Sequence, residues 1–418
     1  MLALFVAAGR ADAQPDDDDP RLKVFLDCPT GGCDRQFLIL EHPYVVFTQD
    51  RLDAEIHLLI TRISTGSGGR EYTLQFIGQR QYAGRTDTLV TTTPPNLAED
   101  TRRRNLSRMI HVGLATRVAG RPRGAQLLER LLVSYDPLVG DDASPAQPPR
   151  DPWNLWVYRV RLNGNSEAES RSGEYELSGE VSANRITETW KLQFDAENEY
   201  QARRFELSDG SERRFILRSA EATARVVRSL SDHWSVGTRG ELGLSEFNNQ
   251  DAYAGVDISA EYNVFPWREA TSRQLVAIVA LGGRLFDYQE ITLYERFEET
   301  RPIARAIIAG ESRQAWGQID GALRYTQYLH DAERYNVSFF GRTTLRLSRG
   351  LSVEFSAEAA KVQDQLYLPR GDVSDDEVLT RQRALETAYR LRGSVGLSFT
   401  FGSIFNTIVN PRLNELGG

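Results

Sequence analysis

The sequence predicts a mainly β fold: a transmembrane antiparallel β-barrel of about twelve strands, preceded by a small N-terminal α/β domain. Three observations carry that expectation. From Trp153 to Phe401 apolar and polar residues alternate with period two, the pattern of strands with one apolar face. No window approaches the ~18 consecutive apolar residues that a membrane helix needs, so any crossing of a bilayer falls to strands. All six tryptophans, Trp153, Trp156, Trp190, Trp234, Trp267 and Trp316, lie in this half and mostly near where a turn meets a strand. A lipid interface selects amphipathic rings at such places.

Composition bounds the rest. A chain of 418 residues is long for one average domain, so two units are expected, one of them large. A net charge of −8 leaves no excess of positive charge for a phosphate backbone, and nucleic acid is not expected as a partner. Lys23, Lys191 and Lys361 are the only lysines among the 50 basic residues; the others are arginines, whose planar, permanently charged forks suit fixed ion pairs.

Residues 1–13, an apolar run ending in Ala11-Asp12-Ala13, read as a secretory signal peptide. Cys28 and Cys33 bracket Pro-Thr-Gly-Gly, a turn able to bring two sulfurs together in an oxidising compartment, and a disulfide is expected. Zinc is the weaker reading, because His42 is the only nearby third ligand. Residues 21–135 form the expected α/β domain. Leu22–Leu26 reads as a strand, and Asp34 caps a short helix that reaches Leu40 before Pro43. Ala54–Ile63 and Arg70–Gly78 read as strands joined by the hairpin Thr65–Gly69. That glycine cluster is not expected to cradle phosphate, since a strand rather than a helix follows it. Leu97–Val118 reads as a helix with Leu106, Met109, Ile110 and Leu114 on one face and Arg102, Arg103, Arg104 and Arg108 on its start and solvated side. A last strand is expected at Arg130–Tyr135. Residues 136–152, rich in Asp and Pro, are a linker; the barrel occupies 153–402 and a periplasmic tail 403–418.

About twelve alternating runs, some of them weak, follow one another in the barrel half. In the clearest, Tyr175, Leu177, Val181 and Ala183 alternate with Glu176, Glu180 and Ser182, and Ala254, Val256, Ile258 and Ala260 with Asp257, Ser259 and Glu261. Period two alone also fits a soluble β-sandwich. The tryptophan positions favour a barrel, and so do the connections: Asn184–Thr187, Ser229–His233 and Ser348–Gly350 are tight, whereas Tyr200–Arg214, Tyr288–Arg301 and Asp364–Glu386 are expected to be long.

The run Ser394-Val395-Gly396-Leu397-Ser398-Phe399-Thr400-Phe401 resembles the last-strand pattern of outer-membrane proteins. That likeness implies recognition of Gly396, Phe399 and Phe401 by the barrel assembly machinery. More widely, residues 153 to about 412 carry Asp232-His233-Trp234, Glu261-Tyr262-Asn263-Val264-Phe265-Pro266, Gln327-Tyr328-Leu329-His330-Asp331, Phe401-Gly402-Ser403-Ile404-Phe405-Asn406 and Asn410-Pro411-Arg412. They resemble a group of bacterial outer-membrane barrels with an N-terminal periplasmic domain, distantly similar to the salt-induced outer-membrane barrel family. The resemblance implies a Gram-negative outer-membrane location with the N-terminal domain in the periplasm, and contact with lipid and lipopolysaccharide. It implies no catalytic residue and no substrate.

The polar side of the runs carries charge of both signs, which would line the interior. Arg342 and Arg346 on one strand, Glu354 and Glu358 on the next and Arg390 and Arg392 on the third suggest cross-strand pairs; Glu176 and Glu180 lie on an earlier strand. Further lumen positions include Glu221, Arg225, Arg239, Glu241, Asp257, Glu261, Arg284, Asp320 and Arg324. Twelve strands enclose less space than an open porin. The expectation is therefore a non-enzymatic, porin-like, narrow or occluded channel with weak charge selectivity, which tethers a periplasmic domain whose candidate partner is a periplasmic protein. No cofactor and no metal are expected. Gly371–Glu377 could bridge cations, but Ser374 and Glu377 read more economically as a capping box. The competing classes are an outer-membrane hydrolase using His330-Asp331, which lacks a paired serine, and a soluble or surface sandwich adhesin.

Overall fold

A computed structural model describes residues 21–95, 97–119, 151–206, 210–348, 351–371 and 384–399. The signal peptide at 1–13, the strand expected at 130–135, nearly all of the linker, the loop helix expected after Ser374, Phe401 and the tail at 403–418 lie outside these residues.

The N-terminal unit is a five-stranded mixed sheet with two helices. Its strands are β1 (Leu22–Asp27), β2 (Val45–Thr48), β3 (Ile56–Ser64), β4 (Arg70–Gly78) and β5 (Thr86–Thr93), in the order β2-β1-β3-β4-β5. β1 pairs in parallel with β2 and β3, while β3, β4 and β5 form an antiparallel meander. Helix α1 (Arg35–Glu41) begins where Asp34 accepts the Phe37 N–H at 3.0 Å. Helix α2 (Glu99–Ala119) buries Leu106, Ile110, Leu114 and Val118 against Leu22, Val24, Leu58, Leu74 and Phe76. Gly113 lets this helix approach the sheet: a Cβ there would meet the Phe76 ring at 2.0 Å. β2 and β5 were not expected from the sequence. The first is four residues long, and the second is threonine-rich with only Leu89 and Val90 to mark a pattern.

The second unit is one twelve-stranded antiparallel sheet in which each strand pairs only with its neighbours in sequence. Its strands are β6 (Trp156–Ala168), β7 (Ser172–Ile186), β8 (Trp190–Glu206), β9 (Glu212–Ser229), β10 (Trp234–Ser245) and β11 (Gln250–Asn263). There follow β12 (Arg273–Tyr288), β13 (Glu298–Gln314), β14 (Gly317–Tyr328), β15 (Tyr335–Ser348), β16 (Leu351–Val362) and β17 (Tyr389–Phe399). Among the described residues β6 and β17 form no pair with each other and stand as the two edges. They run in opposite directions, as an even count of up-and-down strands requires.

The period-two pattern places each side chain on its face. On β11 the odd-numbered Asp257, Ser259, Glu261 and Asn263 share one side, and Val256, Ile258 and Ala260 share the other. Registers carry the same parity from strand to strand: Asp257 stands opposite Arg239 on one neighbour and Gly282 on the other. Among the described residues no second sheet covers the apolar side. Leu162 is 78% exposed, Ile258 67% and Val395 74%. A sandwich would bury this face between two sheets.

The hairpin ends are unequal. At one end lie the connections 187–189, 230–233, 264–272 and 315–316; at the other lie 169–171, 246–249, 289–297 and 329–334, together with the described stretches 363–371 and 384–388 of the connection between β16 and β17. Tyr200–Arg214, expected as a long loop, is mostly strand, because β8 continues to Glu206 and β9 starts at Glu212. Cross-strand polar contacts extend the ladder there, with Gln201 and Arg203 both bonding Glu174 of β7 at 2.7 and 3.2 Å.

Candidate functional site

All six tryptophans sit at one end of the sheet. Trp156, Trp190 and Trp234 are the first residues of β6, β8 and β10; Trp267 and Trp316 lie in the turns before β12 and β14, and Trp153 precedes β6. Trp234 contacts Tyr262 with ring centroids 4.9 Å apart, and Trp156 stacks on Tyr158 and Phe194. The aliphatic residues of the apolar face fill the height of the strands beyond this aromatic row.

On the polar face, charged side chains of β9 to β13 interlock. Asp257, only 4% exposed, accepts from Arg284 at 3.4 Å and from Arg305. Arg284 also reaches Glu241 at 2.5 Å, and Glu241 pairs with Arg239 at 2.8 Å. Arg239 lies 3.8 Å from Glu221, which accepts the Tyr253 hydroxyl at 2.8 Å. Each buried guanidinium therefore faces a carboxylate, which offsets the cost of taking it out of water. Arg305 escaped the sequence reading because it lies in a weak run and Tyr253 because it precedes the alternating stretch that begins at Ala254, although the same parity rule places both on this face.

The other expected lumen residues also fall on the polar face, and of the expected cross-strand pairs Glu358–Arg392 forms. Glu180 pairs with Arg161 at 2.7 Å, and Glu176 stands opposite Asn165 and Gln201. Glu358 pairs with Arg392 at 3.3 Å. The alternation of basic, acidic and basic strands does not produce a continuous ladder: the register sets Arg342 opposite Ser356, Arg346 opposite Ser352, Glu354 opposite Gly396 and Arg390 opposite Ala360. Arg342 stacks over Phe340 instead. Gly396 and Phe399 lie on the edge strand β17, Phe399 being exposed on the apolar side.

Arg346 leaves the sheet. Its guanidinium donates to Asp27 Oδ1 at 2.6 Å, to the Ala315 carbonyl at 3.4 Å, and lies over the Phe25 ring. Asp27 Oδ2 takes His57 Nε2 at 2.9 Å, and His57 is fully buried. Arg51 reaches the same Ala315 carbonyl at 3.3 Å. On the other side of the domain, Gly66 and Gly68 in the β3–β4 hairpin abut Ile186 of β7 and Arg159 of β6. The N-terminal domain thus touches both β6–β7 and β14–β15, always at the tryptophan-bearing end. Cys28 and Cys33 form a disulfide in the loop after β1, where Gly31 and Gly32 adopt φ of +69° and +85°.

The opposite end is covered by the chain's own loops. Asn249, held at φ +55°, donates to the carbonyls of Glu290 at 2.9 Å and Tyr367 at 3.1 Å, and its Oδ1 accepts the Glu290 N–H at 2.8 Å. Leu293 N–H donates to the Leu368 carbonyl at 2.8 Å, and Arg370 N–H to that of Ile291 at 2.7 Å. Leu366 is buried against Ile303 and Tyr328. The segment before Gly371 is therefore fastened to the β10–β11 and β12–β13 loops.

The N-terminal domain holds a second buried polar group. His42 stacks on His111 with centroids 4.1 Å apart, and Tyr44 OH lies 2.8 Å from His111 Nδ1. Burial, with the neighbouring His111, holds the His42 imidazole down to about 4, and burial also lowers His111. Arg103 bonds Asp34 and Asp100, Arg104 bonds Asp100 and Arg102 bonds Glu99, so these arginines serve their own domain.

His233 Nδ1 bonds the Asn263 carbonyl at 2.7 Å, a turn contact. His330 packs edge-on to Tyr328 in the loop 329–334. Among the described residues no group of three His, Cys, Asp or Glu is placed to hold a metal, and no helix is long and apolar enough to cross a membrane. The chain matches no protein-family model and no curated protein sequence, so its function is read from the two faces of the large sheet and from what covers its ends.

Proposed function

We propose that this chain is an outer-membrane β-barrel whose sheet closes by pairing β6 with β17, and that it is a narrow, occluded, non-enzymatic channel that holds its N-terminal domain at the periplasmic mouth. The observation that carries this reading is the apolar face of the twelve-stranded sheet, open along its whole height and bordered at one end by all six tryptophans. In water such a face is a large aggregation hazard, whereas in a bilayer it is the solvated surface. The end bearing the tryptophans and the docked domain is the periplasmic one, and the end with the longest connection, 363–388, faces outward.

Occlusion is supported from both directions. The N-terminal domain bridges strands on two sides of the mouth, the 364–370 segment is fastened over the other end, and the Asp257 network fills the wall between them. Lipid and lipopolysaccharide contact the wall, and the barrel assembly machinery takes β17 as its exposed edge. A sandwich is disfavoured because among the described residues no second sheet covers the apolar face.

Purified full-length chain tests the reading. Expected results are sedimentation with outer membranes, a need for surfactant, and a gel mobility that shifts on boiling. A monodisperse, surfactant-free protein would overturn the membrane assignment, and large, strongly ion-selective conductance in planar bilayers would overturn the occlusion.

A further inference from the structure

The polar face of β7 to β14 wraps a cavity of about 850 Å³ near the tryptophan-bearing end. Its lining is mixed rather than uniformly ionic. Lys191, Arg225 and Arg324 reach it beside Ile186, Val227 and Ile307; Arg239 and Arg305 also line it, as do the carboxylates Glu188, Asp257 and Glu261, so basic groups outnumber acidic ones on its wall. Most arginines of this face are matched with carboxylates, but among the described residues Arg225 and Arg324 have no ion pair, and Lys191 has Glu261 as a counter-charge without a direct salt bridge to it. Arg225 makes one side-chain hydrogen bond, to Gln193 Oε1 at 3.4 Å.

The register makes the imbalance costly. Arg225 of β9 stands directly opposite Arg239 of β10, and like charges in that position destabilise a sheet. Arg239 is already served by Glu241 at 2.8 Å and Glu221 at 3.8 Å, which leaves no carboxylate for Arg225. Arg324 stands opposite Ile307 on one side and Ser338 on the other. An anion in the cavity would answer Arg225 and Arg324 and add to what Glu261 supplies to Lys191, and the neighbouring apolar side chains would be left facing whatever body it carries.

We propose that this cavity is a binding site for a small organic anion, a carboxylate with an apolar body, held by Lys191, Arg225 and Arg324 and packed against Ile186, Val227 and Ile307. The site rests on the barrel reading, since only a closed, lipid-embedded wall turns the polar face into an interior. Size suits the assignment: cavities of ~300–1,000 Å³ hold small organic ligands, and mixed apolar walls with a few convergent charges fix their orientation. It also refines the expectation of weak charge selectivity, because the balance of charge over the whole interior does not hold at this level.

Full-length protein in lipid nanodiscs would be titrated calorimetrically with benzoate, with benzamidine as the same ring carrying a cation, and with inorganic phosphate as an anion without an apolar body. Saturable benzoate binding at one equivalent is expected, with benzamidine and phosphate at least tenfold weaker. Arg225→Gln and, independently, Arg324→Gln should each weaken benzoate about tenfold, while Arg390→Gln on β17 leaves it unchanged. Boiling-dependent gel mobility checks that each variant is folded, and Arg324→Gln carries the test if Arg225→Gln fails to assemble. Equal binding of benzamidine or phosphate, or wild-type benzoate affinity in both variants, overturns the site. Solubility without surfactant would instead remove the barrel reading while leaving the calorimetric result standing, so the two failures are distinguishable.

Discussion

Val256 lies midway along β11, points to the apolar side and is 57% exposed. If that side faced water, Val256→Arg would behave as an ordinary surface change, within about 0.5 kcal/mol of the parent. If it faces acyl chains near the bilayer midplane, the same change costs about 2–4 kcal/mol, a factor of roughly thirty to several hundred in the folding equilibrium. Ser178→Arg is the matched control. Ser178 faces the polar side of β7, opposite Asn163 and Glu199, so a guanidinium there gains a carboxylate neighbour and stays out of lipid. Both variants and the parent would be refolded into phospholipid vesicles over a urea series, with boiling-dependent gel mobility reporting the folded fraction. The expected outcome is a loss at Val256→Arg of several times that at Ser178→Arg. Equal urea midpoints for Val256→Arg and the parent would refute the assignment of the faces, whatever the gel mobility of the parent.

Two further outcomes concern the N-terminal domain. Arg346→Gln removes the guanidinium that ties Asp27 to the Ala315 turn, so spin labels at Leu52 and Leu230 should pass from a narrow to a broad distance distribution in pulsed resonance measurements; an unchanged distribution would show that the domain is held by other contacts. His42 is charged more readily unfolded, near 6.5, than folded, at about 4, so its contribution to stability is full above the unfolded value and lost as pH falls through the window between the two. Between pH 7 and pH 5 the domain should lose about 2 kcal/mol, read as earlier hydrogen exchange in α2, and His42→Gln should flatten that dependence; constant protection across the window contradicts it.

The alternation on β11 and on β7 was legible because side-chain parity is a local property of an extended chain, needing no knowledge of neighbours. For the same reason Glu176, Glu180, Arg342 and Glu358 could be placed on a face before their partners were known. Which carboxylate meets which arginine depends on register. A two-residue offset between β15 and β16 sets Arg342 beside Ser356 and between Glu354 and Glu358. In the smaller domain, Asp34 announced α1 by its capping chemistry, whereas β5 has little apolar content and is recruited by the edge of β4.

The sequence by itself determined the two-unit division, a count of about twelve strands, the parity of the clearly alternating runs and the crowding of tryptophan near turns, because these follow from periodicities and side-chain chemistry within a dozen neighbouring residues. Only the tertiary structure decided that every tryptophan lies at one end, that Arg346 reaches across more than three hundred residues of chain to Asp27, that Asn249 fastens the 364–370 segment, and that Arg225 has no carboxylate partner among the described residues. Those outcomes depend on which strands lie side by side and in what register, a matter settled by the whole sheet at once.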